Sequence, residues 1–462
     1  MKCASVLGLL FLFATPTFAE TPNIVFIMAD DMGYGDPGCY NSKSKIPTPN
    51  IDQLAKDGMR FTDAHAPAAV CVPTRYGLIT GRYPYRMTRQ TPSRIKPDTF
   101  TLGALLKRKS YRSICVGKWH LGFANEKSPM NLPRNGGPVD RGFDHYFGIP
   151  ASLDIPPYYY IENRNCVAPP SQKVKASSSP NVTPIQGAFW RAGGIAPGFK
   201  HVDVLPKLTE KAIEALQNHQ KKSRHPFFLY LALPAPHTPW LPTKPFLGKS
   251  KAGSYGDFTV QVDHTVGRIL QTLKSLNVAD NTLVIFTSDN GPVWYPQDVK
   301  KYDHSSTGVF RGMKGDAFEG GHRMPFIARW PGKIKKGSTS DQLICHTDLM
   351  ATFADILNVK LPKGAGIDSI SFLPALLSRD TKTRAMLIHQ SSRRVLSIRH
   401  GDWKLIPSLG SGGFTRPSRV KPTKNGPKGQ LYYLKTDPGE TKNLYQSKPD
   451  LVRKLSLMLP KN

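Results

Sequence analysis

The feature that most constrains the fold is a set of four continuous apolar runs that each end in polar residues. Residues 23–29 lead into Asp30 and Asp31, and residues 112–116 lead into Lys118 and His120. Residues 227–233 lead into His237, and residues 282–287 lead into Asp289 and Asn290. Such runs are typical of strands buried on both faces of a parallel sheet. In the segments between these runs, apolar residues recur at helical spacing. The sequence therefore predicts an α/β fold with a large, mostly parallel central sheet flanked by helices.

The polar residues at the ends of these runs predict one shared site. In parallel α/β sheets, ligands bind beyond the carboxyl ends of the strands, which lie along one edge. Asp30, Asp31, Asp289 and Asn290 offer only oxygen ligands, which suit Ca²⁺ or Mg²⁺ rather than zinc or copper. Each pair alone also matches an ordinary turn or helix cap. Two pairs at matching strand ends favour a metal site.

A cysteine opens a short predicted helix over residues 71–81. Pro73 suits its first turn and Gly81 suits its end. Cys71 therefore lies at the positive end of a helix, where anions bind, and Arg75 adds a permanent charge one turn later. On this evidence alone, a plain buried thiol is the alternative for Cys71.

Several positively charged or titratable residues accompany these ligands. Lys118, His120, His237 and Lys314 could each be an ordinary structural histidine or a solvated charge. A metal with several cations is nevertheless what binding a doubly charged tetrahedral anion requires.

The N-terminus has the features of an export signal. Lys2 precedes an apolar run at residues 6–13, and small residues end at Ala19. This pattern predicts a signal peptide over residues 1–19 and a secreted or periplasmic protein. Later apolar runs are shorter than the ~20 residues needed to span a bilayer, so no membrane span is expected.

The chain is strongly basic, with a formal net charge of +30 over 462 residues. This charge would attract an anionic polymer. Nucleic acid fits the charge alone, but export and the absence of zinc-finger or RNP-like motifs argue against it. A sulfated polysaccharide fits the charge at least as well. The remaining cysteines are widely spaced and do not predict a disulfide framework.

The chain divides into three predicted regions. Residues 1–19 are the signal peptide, residues 20–380 the catalytic α/β domain, and residues 381–462 a small antiparallel α+β subdomain. Residues 130–200 are predicted to be an excursion outside the core. Predicted walls near a substrate are residues 156–164, Asp303 with His304, and residues 412–414.

Six segments resemble, in order, the sequence blocks of sulfatases of the arylsulfatase type, in the alkaline phosphatase-like superfamily. They are residues 23–36 (NIVFIMADDMGYGD), 71–82 (CVPTRYGLITGR), 116–122 (VGKWHLG), 235–240 (APHTPW), 286–291 (FTSDNG) and 311–327 (RGMKGDAFEGGHRMPFI). Residues 431–444 resemble the usual C-terminal segment. The resemblance covers nearly all of the mature chain. Thr74 departs from it, because serine is commoner there.

The resemblance implies a role for each site residue. A formylglycine-generating maturation enzyme would oxidise Cys71 to formylglycine, whose hydrate attacks the sulfur of a sulfate ester. Asp30, Asp31, Asp289 and Asn290 would bind a divalent cation, usually Ca²⁺, which also contacts residue 71. Arg75 would position the hydrate, and Lys118, His237 and Lys314 would contact the sulfate. His120 would act as a base, and His237 with Lys314 would protonate the leaving oxygen.

The predicted function is therefore hydrolysis of sulfate esters, with sulfated carbohydrate as the substrate class. Two alternatives stay open at this point. One is a formylglycine-dependent phosphonate monoester or phosphodiester hydrolase, which shares the architecture. The other is a non-catalytic protein that binds polyanions.

Overall fold

The structure is a computed structural model that describes residues 21–88, 90–126, 128–183, 185–379 and 384–460. The predicted signal peptide lies outside these residues, as does the predicted domain boundary at residues 380 and 381. No helix within the described ranges is long and apolar enough to cross a membrane.

Helices and strands alternate through most of the chain. The helices are α1 Pro49–Lys56, α2 Cys71–Thr80, α3 Leu102–Lys107, α4 Val204–Lys222, α5 Gly253–Ser275, α6 Pro296–Tyr302, α7 Glu319–His322, α8 Leu349–Ile356, α9 Leu373–Leu376 and α10 Pro449–Met458. The strands are β1 Asn23–Asp30, β2 Met59–Phe61, β3 Ala64–His65, β4 Arg112–Lys118, β5 His145–Ile149, β6 Ile161–Glu162, β7 Asn165–Cys166, β8 Gln172–Val174, β9 Gly193–Ile195, β10 Phe227–Pro236, β11 Thr282–Ser288, β12 Phe326–Arg329, β13 Ser338–Ser340, β14 Ile344–Cys345, β15 Met386–Gln390, β16 Leu396–His400, β17 Trp403–Ile406 and β18 Gln430–Tyr433.

The central sheet has the strand order β13-β2-β12-β11-β1-β10-β4-β5-β6-β7. Its middle strands, from β11 to β5, are parallel to one another, whereas β12 and β6 are antiparallel to their inner neighbours. One group of helices (α1, α4 and α5) and a second group (α2, α3 and α8) flank the sheet. The predicted fold class, a large and mostly parallel sheet flanked by helices, is confirmed.

The four predicted strands form the middle of this sheet because their side chains are apolar on both faces. β1 is buried from Ile24 to Asp30 and lies between β10 and β11. The pairing register places Ala29 beside Ser288 and Asp30 beside Pro236. The strand ends that carry polar residues therefore meet at one edge.

The prediction that residues 130–200 lie outside the core is wrong for β5. This strand pairs in parallel with β4, from Ile114 with His145 to Lys118 with Ile149, and extends the central sheet. Its residues 146–149 are buried. The many prolines and glycines around this segment hid a strand of only five residues.

Asp257 precedes apolar residues at helical spacing, and aspartate favours the cap position, so the sequence predicts a helix that Asp257 caps. This prediction is wrong, because α5 begins at Gly253. Asp257 is a buried residue inside the helix, and its carboxylate accepts hydrogen bonds from the backbone N–H groups of Gly248 (2.7 Å) and Ser250 (2.8 Å). The carboxylate thus fixes the preceding loop rather than capping the helix.

A second, antiparallel sheet of order β15-β16-β17-β18 forms near the C-terminus, with α10 packed on β16 and β17. This confirms the small antiparallel C-terminal unit. The residue at which it begins stays a prediction. The described cysteines, at positions 39, 71, 115, 166 and 345, are all free.

Buried ion pairs join this second sheet to the first part of the chain. Lys404 of β17 lies 3.0 Å from Glu319 and 2.9 Å from Glu440, and all three side chains are inaccessible to solvent. Arg399 of β16 lies 2.6 Å from Asp63. Because breaking one partner of a buried pair leaves an uncompensated charge, these contacts fix the two parts to each other.

We predict a specific contribution of His346 to acid sensitivity. His346 is fully buried, and burial lowers its pKa to about 3 from a usual value of 6.5. Between these values the unfolded chain binds one more proton than the folded protein, so stability falls with falling pH, by about 1.4 kcal/mol per pH unit. Between about pH 7 and about pH 5, the free energy of unfolding of the wild type should fall by about 2 kcal/mol more than that of His346→Asn.

Urea unfolding at the two pH values measures this difference. The exposed His225 supplies the matched variant His225→Asn, for which we expect the wild-type loss. Equal losses for His346→Asn and the wild type would contradict the prediction.

Candidate active site

The candidate site lies at the carboxyl edge of the central sheet, where four neighbouring strands end. Asp30 is the last residue of β1 and Lys118 is the last residue of β4. His237 follows β10, and Asp289 follows β11. The structure thus brings together side chains that are far apart in the chain: the hydrogen bond between Asn290 and Asp31 joins residues 259 positions apart.

Two of these residues have strained backbone conformations. Asp31 has φ 63° and His120 has φ 58°, in the left-handed region that few non-glycine residues adopt. The surroundings hold both: Asp31 N–H donates to Asp289 Oδ1 (3.3 Å), and His120 N–H donates to the carbonyl of Pro150 (3.0 Å). Strain of this kind clusters at functional sites.

The predicted helix at Cys71 is confirmed as α2. It follows Val70 in an extended conformation and ends at Gly81, which has φ 62°. Thr74, the departure from the usual serine, is fully buried and donates its hydroxyl to the carbonyl of Ala68 (2.9 Å). Cys71 is 7% exposed, and its Sγ lies 3.3 Å from His120 Nδ1.

Arg75 is fully buried and joins three strand ends to α2. Its guanidinium donates to Asp289 Oδ2 (2.8 Å), to Asp30 Oδ2 (3.2 Å) and to the carbonyl of Lys118 (2.8 Å). The planar fork of arginine suits this bridging role, which lysine could not fill with its single ammonium. Arg75 therefore fixes the distance between Cys71 and the carboxylates.

The acidic groups of the site fit a divalent cation. Two buried oxygens, Asp30 Oδ1 and Asn290 Oδ1, have no hydrogen-bond partner among the described residues. Leaving buried oxygens unpaired is costly, and carboxylate and amide oxygens are ligands that Ca²⁺ and Mg²⁺ accept. Candidate ligand atoms of Asp30, Asp31 and His237 also lie within 4.8 Å of one another.

Three positively charged or titratable side chains face these carboxylates. Lys314 Nζ lies 2.7 Å from Asp31 Oδ1, and Lys118 Nζ contacts Asp30 Oδ2. His237 donates from Nδ1 to the carbonyl of Thr238 (2.6 Å), so its Nε2 is the nitrogen that faces Asp31, at 3.7 Å. The cluster can therefore bind an anion and supply protons to it.

The electrostatics of the site separate charged from neutral groups. Burial raises the pKa of the Asp30 carboxyl, but Lys118, His237 and Arg75 lower it more, so the pKa lies well below its usual range. Burial, with Lys118 and Arg75 nearby, lowers the pKa of His120 well below its usual value. Asp30 is therefore ionised and His120 is a neutral imidazole, the form that can accept a proton.

Sequence reasoning missed the residues that hold Lys314. The carboxylate of Asp316 accepts hydrogen bonds from the backbone N–H groups of Met313 (2.9 Å) and Thr415 (3.0 Å). Gly315 N–H donates to the carbonyl of Ala69 (2.7 Å), two residues before Cys71. The signal available in the sequence was Asp316 next to Gly315, a pair typical of turns. Thr415, which donates to Asp316, lies 99 residues away in the chain.

The predicted substrate walls have mixed outcomes. Residues 412–414 lie beside Lys314. Gly413 packs directly against Gly315, the residue after Lys314, so closely that a Cβ atom at Gly413 would stand 2.1 Å from the Gly315 carbonyl oxygen. The prediction is wrong for His304, which is buried, and stays a prediction for Asp303, which is exposed. His304 is buried 2.9 Å from Asp36, and Asp303 pairs with Lys45 at the surface.

The family model described as Sulfatase matches residues 22–359, which include all the residues of the site. The chain belongs to the sulfatase family. The model described as N-sulphoglucosamine sulphohydrolase, C-terminal, matches residues 313–409. The protein is accordingly a sulfuric ester hydrolase, as the six sequence blocks predicted.

Individual relatives cover nearly the whole chain. An N-acetylgalactosamine-6-O-sulfatase of Bacteroides thetaiotaomicron is 36% identical over 96% of this chain and 93% of its own. Human arylsulfatase A is 33% identical over 94% of this chain and 86% of its own.

Solved structures agree with the fold. A sulfatase structure described with the metabolism of multiple glycosaminoglycans by Bacteroides thetaiotaomicron has a TM-score of 0.84 and 34% identity, over 95% of this chain and 98% of that one. A Pseudoalteromonas sulfatase has a TM-score of 0.74 at 24% identity, over 95% of this chain and 89% of that one, and supports the fold alone.

Removing Arg75 should destabilise the protein strongly. Arg75→Ala leaves Asp30 and Asp289 buried with less compensation, so we expect a loss of about 3–5 kcal/mol in the free energy of unfolding. Urea unfolding measures the loss. Arg224→Ala, at an exposed arginine before β10, should change stability by less than about 0.5 kcal/mol. A loss below about 1 kcal/mol for Arg75→Ala would contradict this account of the site.

Proposed function

We propose that the protein hydrolyses sulfate esters of carbohydrates through a formylglycine made from Cys71 and a bound divalent cation. The observation that carries this proposal is the convergence, at one sheet edge, of Cys71, unpaired oxygen ligands and cationic side chains. Asp30 Oδ1 and Asn290 Oδ1 support a hard cation, and Lys118 and Lys314 support a doubly charged anion.

Residue 71 needs its modification for catalysis. A formylglycine hydrate supplies two hydroxyl groups, one to displace the alcohol from sulfur and one to allow the release of sulfate. A thiol in its place would form a thiosulfate adduct with no easy way back. Burial also raises the pKa of the Cys71 thiol, which makes the unmodified side chain a weak nucleophile.

The other side chains have roles that follow from their positions. His120 Nδ1, 3.3 Å from Cys71 Sγ, would take a proton from the group at position 71. Lys118 and Lys314 would bind the sulfuryl oxygens and stabilise their charge. His237, with its Nε2 toward the site, would protonate the leaving oxygen together with Lys314. Arg75 would hold residue 71 against the carboxylates.

The cation is proposed to be Ca²⁺, with Mg²⁺ as the weaker candidate. Asp30, Asp31, Asp289 and Asn290 would hold it. When bound, it would polarise the group at position 71 and a sulfuryl oxygen. Several side-chain oxygens around one point suit Ca²⁺, because Mg²⁺ retains more of its water.

A sulfated carbohydrate is the proposed substrate class. The named relative from Bacteroides thetaiotaomicron is an N-acetylgalactosamine-6-O-sulfatase, which supports a sulfated amino sugar. The net charge of +30 would favour encounter with a polyanion. Residues 1–19 support export to the periplasm or medium, and a formylglycine-generating enzyme would act on Cys71.

Comparison of substrates tests the reaction class. Protein from the native host should release sulfate from a small aryl sulfate and from N-acetylgalactosamine 6-sulfate faster than it cleaves phosphonate monoesters or phosphodiesters. Faster turnover of the phosphorus esters would favour the alternative hydrolase, and failure to turn over either class would favour a binding protein.

The state of residue 71 is directly measurable. In protein from the native host, mass spectrometry of the peptide containing residue 71 should detect formylglycine, and Cys71→Ala should abolish sulfate release. Cys39→Ala, which removes a thiol outside the site, should leave turnover near the wild-type value. An active enzyme with an intact cysteine at position 71 would overturn the proposed chemistry.

Calcium should stabilise the protein through Asn290. After removal of metal with a chelator, adding Ca²⁺ at about 100 times its dissociation constant should stabilise the wild type by about 2.7 kcal/mol. Thermal unfolding should detect a much smaller effect in Asn290→Ala, while the exposed Asn425→Ala should respond like the wild type. An equal response of Asn290→Ala, or a larger effect of Mg²⁺, would contradict the assignment.

A further inference from the structure

The backbone of Asp31, a proposed ligand of the cation, is held from both sides. Its N–H donates to Asp289 Oδ1 (3.3 Å), and its carbonyl oxygen lies 3.0 Å from the hydroxyl of Tyr255 in α5. Asp31 has φ 63°, a conformation that aspartate adopts only when its surroundings stabilise it. The groups that hold this backbone therefore decide where the Asp31 carboxylate lies.

Asp36 lies on the loop that follows Asp31, and its carboxylate is inaccessible to solvent. Its Oδ2 accepts a hydrogen bond from the backbone N–H of Gly33 (2.6 Å), and its Oδ1 accepts from Nε2 of His304 (2.9 Å). The Tyr255 hydroxyl lies 2.5 Å from Oδ2 and shares its proton between this oxygen and the Asp31 carbonyl. The carboxylate therefore joins the loop after Asp31 to α5 and to the segment after α6.

The donors to Asp36 have defined protonation states. Burial and the Asp36 carboxylate raise the pKa of the Tyr255 hydroxyl well above its usual value, so the hydroxyl keeps its proton. The backbone N–H of Lys45 donates to His304 Nδ1 (3.4 Å), which leaves the imidazole proton on Nε2, toward Asp36. The indole N–H of Trp294 donates to the His304 carbonyl (2.9 Å) and fixes this residue further.

The loop between Asp31 and Asp36 has little room to move. A Cβ atom at Gly33 would stand 2.0 Å from the carbonyl oxygen of Ser306, and the N–H of Gly35 donates to the same carbonyl (2.7 Å). Ser306 Oγ lies 3.2 Å from the Tyr255 hydroxyl. Because these contacts are close and buried, a change at the Asp36 carboxylate would be transmitted to Asp31 through Tyr255 rather than absorbed by the loop.

We propose that Asp36 is a positioning residue for the cation, because it holds Asp31, through Tyr255 and Gly33, in the orientation that binds the ion. The inference rests on the cation of the proposed function and adds a carboxylate that is not one of its proposed ligands. Removing a group that orients a metal ligand typically lowers metal affinity by about 10- to 100-fold.

Calcium titration of the chelator-treated protein tests the proposal. Asp36→Asn keeps the size of the side chain but places an amide N–H₂ where a carboxylate oxygen accepts a hydrogen bond. We expect the dissociation constant for Ca²⁺, measured by calorimetry, to rise by about 10- to 100-fold. The Ca²⁺ concentration that gives half-maximal sulfate release should rise in the same proportion.

Asp263 supplies the matched control for the loss of a buried carboxylate. Its oxygens accept hydrogen bonds from the Asn50 side chain (2.7 Å) and from the backbone N–H of Ile51 (2.8 Å), in α1 rather than in the loop after Asp31. Asp263→Asn should lower the thermal unfolding temperature of the metal-free protein but keep the wild-type dissociation constant. An equal loss of affinity in both variants would overturn the proposal, because it would reflect stability rather than positioning.

Tyr255→Phe tests the connection to Asp31 with a gentler change. It removes only the hydroxyl and keeps the ring packed against Trp240 and Trp294, and its affinity for Ca²⁺ should also fall. Wild-type affinity in Tyr255→Phe would overturn the proposal even if Asp36→Asn failed to fold. His304→Gln, which keeps an N–H donor for Asp36, should bind Ca²⁺ more tightly than His304→Leu.

The same titration separates this inference from the proposed function. A wild type that binds no Ca²⁺ would refute the proposed cation and this inference together. A wild type that binds Ca²⁺, with equal affinity in Asp36→Asn and Tyr255→Phe, would overturn the positioning role and leave the proposed function intact.

Discussion

The buried contact of Arg75 with Asp30 and Asp289 is the interaction on which the rest of the site depends. The carboxylates of Asp30, Asp31 and Asp289 lie at adjoining strand ends and repel one another in a region without solvent. Burial alone would keep them protonated. The guanidinium offsets part of this charge and joins α2 to β1, β11 and the carbonyl of Lys118. Residue 71 is held opposite the acidic cluster because Arg75 lies one helical turn after it.

The C-terminal sheet completes the site, although none of its residues is in the acidic cluster. Asp316 joins the turn that carries Lys314 to Thr415, and Lys404 joins the same region to the second sheet through Glu319 and Glu440. A catalytic α/β domain without this sheet would therefore lack the support for one of its two lysines.

Much of the architecture was predictable because it depends on local patterns. Apolar runs identified the strands of the middle of the sheet, and the rule for parallel strands predicted that their ends would meet. Pro73 and Gly81 indicated the bounds of α2 within one residue. The prediction failed for β5, whose five residues are too few for a clear pattern, and for Asp257, which resembles a helix cap but bonds to a loop.

The sequence by itself determined the fold class, the α2 helix at Cys71 and the oxygen-bearing side chains at the strand ends, because strand burial, helix ends and residue type are local properties. Only the tertiary structure decided the surroundings of those groups. The left-handed backbone at Asp31 and His120 and the bond of Asp316 to Thr415, which supports the turn of Lys314, arise from contacts between distant segments. Such contacts depend on packing across the sheet edge, so no local pattern of residues along the chain predicts them.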